Sequence, residues 1–184
     1  MHRLISLLAG CLVLLSASAF GFDGYRKGFV IGTGVGISPY SSTQTDMDVS
    51  VLGQEVERDN AAVFSMGYLG WSWNDRDMVT GLVAINSFEN ESLDLSHTFY
   101  GVAWFHFYGA GGYGLFSVLG AGAAEWDTGA TCPADAGFGY LVGGGYEFSP
   151  HWHVGVAVSG GRSEIGPVEI TLTDVTVFFG GTLF

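Results

Sequence analysis

Beyond its first 19 residues this 184-residue chain has no apolar run approaching the roughly 20 residues that a membrane-spanning helix needs. Basic residues are scarce: six Lys and Arg stand against 18 Asp and Glu. That balance excludes a nucleic-acid partner, because phosphates would be repelled rather than neutralised. Cysteine is scarcer still, with only Cys11 and Cys132, so no disulfide framework holds the fold. The four prolines are Pro39, Pro133, Pro150 and Pro167. What is abundant is glycine, 30 residues, scattered among apolar residues that make up 48% of the chain. Mean hydropathy is +0.34, high for a chain without spanning helices. Backbone N–H and C=O groups cannot stay unpaired in hydrocarbon. A chain that enters a bilayer without helices meets that demand by closing a sheet on itself.

The N-terminus carries a secretory signal. Met1-His2-Arg3 is a short positive start, residues 4–15 are apolar, and Ala17-Ser18-Ala19 offers small residues for cleavage. The expected organisation is a cleaved signal over 1–19 and one barrel domain over 20–184. Leu8-Ala9-Gly10-Cys11 resembles a lipoprotein signal. Few residues separate Cys11 from the basic start, and the residues after Cys11 are still apolar, so the ordinary signal is preferred. Either one takes the chain across the inner membrane. Cleavage removes Arg3 and Cys11. Five Lys and Arg then face all 18 Asp and Glu, a net of −13, and Cys132 is the remaining thiol.

The rest of the chain divides into eight segments of alternating character, each near the roughly 9–11 residues of a spanning strand. They cover 28–38, 61–74, 78–88, 95–108, 113–126, 137–148, 152–162 and 170–184. The connections alternate long (39–60, 89–94, 127–136, 163–169) and short (75–77, 109–112, 149–151). That alternation is the loop rule of outer-membrane barrels, with long loops outside and tight turns in the periplasm. All four prolines fall in these connections, which suits a residue that cannot donate to a ladder. The expected fold is all-β, an eight-stranded antiparallel up-and-down transmembrane β-barrel with both termini in the periplasm.

Faces can be assigned from the period of two. In the first segment Phe29, Ile31, Val35 and Ile37 oppose Gly28, Gly32, Gly34 and Gly36. In the seventh Trp152, Val154, Val156 and Val158 oppose His153, Gly155, Ala157 and Ser159. The large face is expected to meet lipid and the small face a narrow lumen. The second to fourth and eighth segments carry apolar residues on both faces. Aromatics gather at the predicted turn ends: Trp71, Trp73, Trp104, Phe105, Phe107, Tyr108, Tyr113, Tyr146, Phe148 and Trp152. They predict an interfacial girdle.

The stretch Lys27-Gly28-Phe29-Val30-Ile31-Gly32-Thr33-Gly34-Val35-Gly36 and the ending Phe178-Phe179-Gly180-Gly181-Thr182-Leu183-Phe184 carry a family likeness. In them the chain resembles the small outer-membrane β-barrel family that includes the OmpA transmembrane domain and OmpX-like proteins. The resemblance implies a place in the cell outer membrane. It also implies that Phe184 is the assembly signal met by the barrel-assembly machinery.

Candidate chemistry is sparse. The glycine runs near 32–36 and 143–145 lack the helix and lysine of a phosphate loop. His151 and His153 share one side of an extended chain but have no further metal ligands nearby, and are expected at the interface. Some barrels of this kind modify lipid A, so Ser96 and His97, with Glu91 and Asp94 close by, form a candidate hydrolytic set. Against it, neighbours on a strand point to opposite faces, and the His-x-Ser pattern of lipid A deacylases is absent. Parity places Glu125, Glu147 and Asp174 inward, with Arg162 near the outer rim. These four either form an ion cluster that plugs the outer lumen or stand solvated at the rim. Asp46, Asp48, Glu55, Glu57, Asp59, Glu89, Glu91 and Asp94 make the outer loops acidic. Such loops either hold divalent cations that bridge lipopolysaccharide phosphates or form a solvated, repulsive surface.

The functional expectation is a monomeric, non-enzymatic barrel, without cofactor or metal, acting in envelope structure or surface interaction through its acidic loops. Outer-membrane lipid and lipopolysaccharide are its expected surroundings. A narrow channel for small or apolar solutes and a lipid A-modifying enzyme stand as alternatives.

Overall fold

The computed structural model describes residues 26–47, 54–58, 62–89, 94–109, 113–127, 135–165 and 168–184. The expected signal over 1–19, together with Asp48, Asp59, Glu91, Cys132, Pro133 and Pro167, lies outside the described residues. The strands are β1 (Gly28–Met47), β2 (Gln54–Arg58), β3 (Ala62–Ser72), β4 (Asp77–Glu89), β5 (Asp94–Phe107), β6 (Gly114–Asp127), β7 (Asp135–Ser149), β8 (Trp152–Ile165) and β9 (Val168–Leu183). Each of β3 to β9 pairs antiparallel with the next, β3 pairs with β1, and β1 pairs with β9. This is a closed, eight-stranded, up-and-down barrel. The remaining strand, β2, pairs with the far end of β1 over Ser41↔Arg58 to Thr45↔Gln54 and belongs to the first loop.

The turns are set by their residues. Between β3 and β4 the Asn74 Oδ1 accepts from the backbone N–H groups of Arg76 and Asp77, each at 2.7 Å, an Asx turn that reverses the chain. Between β7 and β8 Pro150 is followed by His151 at φ 76°. That left-handed conformation suits the second central position of a tight turn after proline. The strain is held in place by two bonds to the end of β9. The Thr182 N–H donates to the His151 carbonyl at 2.8 Å, and the His151 Nδ1 bonds the Thr182 carbonyl at 2.9 Å.

The strands run further at the loop end than the sequence segments suggest. The β8–β9 ladder continues through Glu164↔Glu169 to Ile165↔Val168, so this connection is tight rather than long. β1 runs on past Pro39, which therefore lies within a strand and not in a connection. The β1–β9 register shifts between Ile37 and Tyr40, and a bulge is where a strand tolerates a residue without N–H.

Sidedness also departs from expectation in part. In β1, β7 and β8 most large residues face out and most small ones in, as alternation predicts, with Val30, Leu141, Glu147 and His153 as inward exceptions. In β3 to β6 and in β9 bulky apolar side chains face inward as well: Phe64, Met78, Phe99, Phe105, Phe116 and Phe178 are buried. The reason is volume. A lumen of eight strands has room for side chains and little else. Glycine on one strand leaves the space that an aromatic directly opposite it on the neighbouring strand lies across. At Gly32 a Cβ would lie 2.1 Å from the Tyr68 ring, and at Gly155 one would lie 2.6 Å from the Phe178 ring. The inward side chains form a large cluster and a smaller one of Ala62, Phe88, Trp126 and Leu172.

Outside, the barrel is belted with exposed apolar residues, among them Val35, Leu69, Val102, Leu119, Phe138 and Val156. On a soluble protein such a surface would drive association; around a closed barrel it is the face that lipid covers. Trp71, Trp73, Trp104, Tyr108, Tyr113, Tyr146 and Phe148 are exposed at the turn end and form the expected girdle. Phe105 and Phe107 do not join it. They turn into the lumen, where their rings lie 6.5 and 5.7 Å from that of Phe116.

Candidate functional site

The lumen is where the described residues place their buried ionisable side chains, and these fall into two layers. The layer toward the loop end is built from four strands. Asp174 on β9 is 0% exposed, and its Oδ2 accepts from the Asn86 Nδ2 of β4 at 3.0 Å and pairs with the His97 Nδ1 of β5 at 2.9 Å. The Ser38 hydroxyl of β1 donates to the Asn86 Oδ1 at 2.7 Å and touches the Thr176 hydroxyl. β5 and β9 lie four strands apart in the ring of eight, so His97 and Asp174 meet across the lumen. The His97 ring also packs against Trp126, with centroids 6.1 Å apart. A carboxylate this deep requires donors, and the opposite wall supplies them.

The layer at the turn end centres on Arg26, just before β1. Its guanidinium pairs with the Glu147 carboxylate, donates to the Asp75 carbonyl at 2.7 Å and lies 3.9 Å from the centre of the Phe107 ring. Both members of the ion pair are almost fully buried, which the planar, multi-donor guanidinium suits better than lysine would. Above it the Tyr68 hydroxyl bonds the Thr182 hydroxyl, and the His153 ring stands edge-on to Phe116 at 5.3 Å.

The four candidate cluster residues are therefore not brought together. Glu147 and Asp174 face inward, but in separate layers with Arg26 and with His97 and Asn86 as partners. Glu125 falls on the outward parity of β6, whose inward set includes Phe116, Val118, Ala124 and Trp126. Arg162 is exposed on the outward parity of β8. The partners that sequence reasoning missed are Arg26, Asn86 and Ser38. Arg26 precedes the first alternating segment, and nothing in a single arginine beside Lys27 signals that it folds back into a lumen.

His151 and His153 do not share a site: His151 sits in the turn against Phe184, with ring centroids 4.8 Å apart, and His153 is buried in the lumen. His97 does find a carboxylate, but Ser96 has the other parity. Ser38, the hydroxyl in the same layer, bonds Asn86. Among the described residues no serine is bonded to His97, so a nucleophile–base pair is not assembled. The described residues also hold no group of three or more potential metal-ligating side chains. At the loop rim the ladder sets Asp46 opposite Glu169, Glu169 opposite Glu164, and Glu164 opposite Asp135. Glu164 and Asp135 are both exposed there, and like charges so aligned repel. Phe184, the expected assembly signal, ends the chain beside β9 with its ring against His151.

Solved structures similar to this one include small outer-membrane barrels. Neisserial surface protein A is 10% identical, with a TM-score of 0.54 over 84% of this chain and 96% of that one. Ail, the attachment invasion locus protein of Yersinia pestis, is 16% identical, with a TM-score of 0.47 over 84% and 99%. The outer membrane protein OprG from Pseudomonas aeruginosa is 12% identical, with a TM-score of 0.47 over 89% and 99%. At these identities the likeness is one of fold, and the first carries it. No protein-family model and no curated protein matches the sequence. The chain has the fold of small outer-membrane β-barrels.

Proposed function

We propose that this protein is a resident of the outer membrane with a filled lumen, and that it serves envelope structure or surface interaction through its acidic loop end. The observation that carries this reading is the packing across the lumen. Phe64, Phe99, Phe105 and Leu141 are at most 2% exposed, and side chains of β5 and β9 bond wall to wall. A conducting path needs a continuous wet route, and an interior filled by a cluster of buried apolar side chains does not favour one. The lipid-facing belt and the charged loop end remain for interaction. The partners this implies are outer-membrane lipid and lipopolysaccharide, with the assembly machinery met once during insertion through Phe184.

The test is electrical. The purified mature protein, inserted into planar bilayers, is expected to stay silent across the voltage range that other barrels tolerate. Stepwise currents proportional to the protein added would replace this reading with that of a narrow channel.

A further inference from the structure

The loop-end polar layer contains more hydrogen-bonding capacity than the protein fills. Asp174 uses Oδ2 for both of its donors, and its Oδ1 has no partner among the described residues. His97 gives Nδ1 to that carboxylate. With the proton on Nδ1, the Nε2 presents a lone pair, and it too is buried and without a partner among the described residues. The Trp126 indole N–H is a donor only, and it is buried without an acceptor among the described residues. One unmatched donor and two unmatched acceptors thus occur on three residues linked by direct contact, the His97–Asp174 bond and the His97–Trp126 ring packing.

Apolar groups close the layer on both sides. Toward the turn end lies the large cluster that includes Phe64, Phe99 and Phe178. Toward the loop end lies the small cluster of Ala62, Phe88, Trp126 and Leu172, in which Phe88 stacks on Trp126 at 6.2 Å. Buried polar atoms left by the protein are normally satisfied by an internal water, which needs at least two polar partners. A cation suits the set poorly, because an indole N–H repels it.

We propose that this layer is a built hydration site. It holds one internal water that accepts from the Trp126 Nε1–H and donates to the His97 Nε2 or the Asp174 Oδ1. The water completes the bridge between β5, β6 and β9 and is sealed from both ends of the lumen. This inference is independent of what the loop end binds.

High-resolution diffraction from the wild-type barrel and from a Trp126→Phe variant tests it. The expected wild-type result is a single peak about 2.8–3.0 Å from the Trp126 Nε1 and from a second of the three atoms, the spacing of ordinary hydrogen bonds. In Trp126→Phe the ring packing stays while the peak weakens or vanishes. A Gly67→Ala variant, whose added carbon meets nothing within 4 Å and which lies outside the layer, is expected to keep it. Three outcomes overturn the proposal. They are a wild-type layer without the peak, a protein side chain in its place, and a peak at metal–oxygen distances near roughly 2.3 Å marking a cation.

Discussion

Two carboxylates, Asp174 and Glu147, are buried in the lumen among the described residues, and each is answered differently. Asp174 is met by side-chain donors from other strands, Asn86 and His97. Glu147 is met by a full charge, Arg26, brought in by the few residues ahead of β1. A buried ion pair contributes little net stability, yet breaking it from one side leaves a bare charge in a poor solvent. Arg26→Met is therefore expected to lower unfolding stability by about 3–5 kcal/mol. Arg26→Met combined with Glu147→Leu should recover most of that loss, because neither charge is then stranded. Urea unfolding in lipid vesicles, followed by tryptophan fluorescence, measures both. A double variant no more stable than the single one would show that Glu147 does not depend on Arg26.

At the scale of strands, legibility tracks how different the two faces are. In β1 glycine alternates with Phe29, Ile31, Val35 and Ile37, so lipid and lumen sides can be read directly. β6 offers no such contrast: Leu115 and Leu119 face out while Phe116 and Val118 face in. A misjudged parity there puts Glu125 in the lumen. Phe105 and Phe107 read as girdle for the same reason, since a ring that ends a strand looks alike on either face. Parity places Glu147 and Asp174 inward, but their partners are not legible, because most of these contacts join strands two to four apart in the ring and no local pattern reports that. The closing seam gives a test of element geometry. A Cβ at Gly36 would lie 2.1 Å from the Val177 carbonyl of β9, and backbone cannot move aside as a side chain can. Gly36→Ala is expected to loosen the β1–β9 ladder, seen as faster amide exchange along that seam and a weaker compact band on unheated gels. At Gly67 nothing lies within 4 Å of the added carbon, so Gly67→Ala should behave as wild type. Equal behaviour of the two variants would contradict the seam register.

As a whole molecule the barrel has two apolar surfaces with different solvents. The inner one is packed against itself, like the core of a soluble protein, while the outer one is solvated by lipid. Phe64 and Phe138 make the contrast measurable, since they are the same residue on β3 and β7 with 1% and 66% exposure. Phe64→Ala empties part of a packed interior, a loss of about 3–5 kcal/mol that includes the cavity left behind. Phe138→Ala exchanges ring–lipid contact for more lipid, which flows in and leaves no cavity, so its penalty should be smaller. The two should also respond differently to the bilayer. The Phe64→Ala penalty depends on protein neighbours alone and is expected to be the same in vesicles of short-chain and long-chain lipid. The Phe138→Ala penalty depends on where the headgroup boundary falls and is expected to change between them. Unfolding free energies in the two lipids decide the matter. If Phe64→Ala tracked acyl-chain length while Phe138→Ala did not, inside and outside would have to be exchanged, and the filled lumen with them.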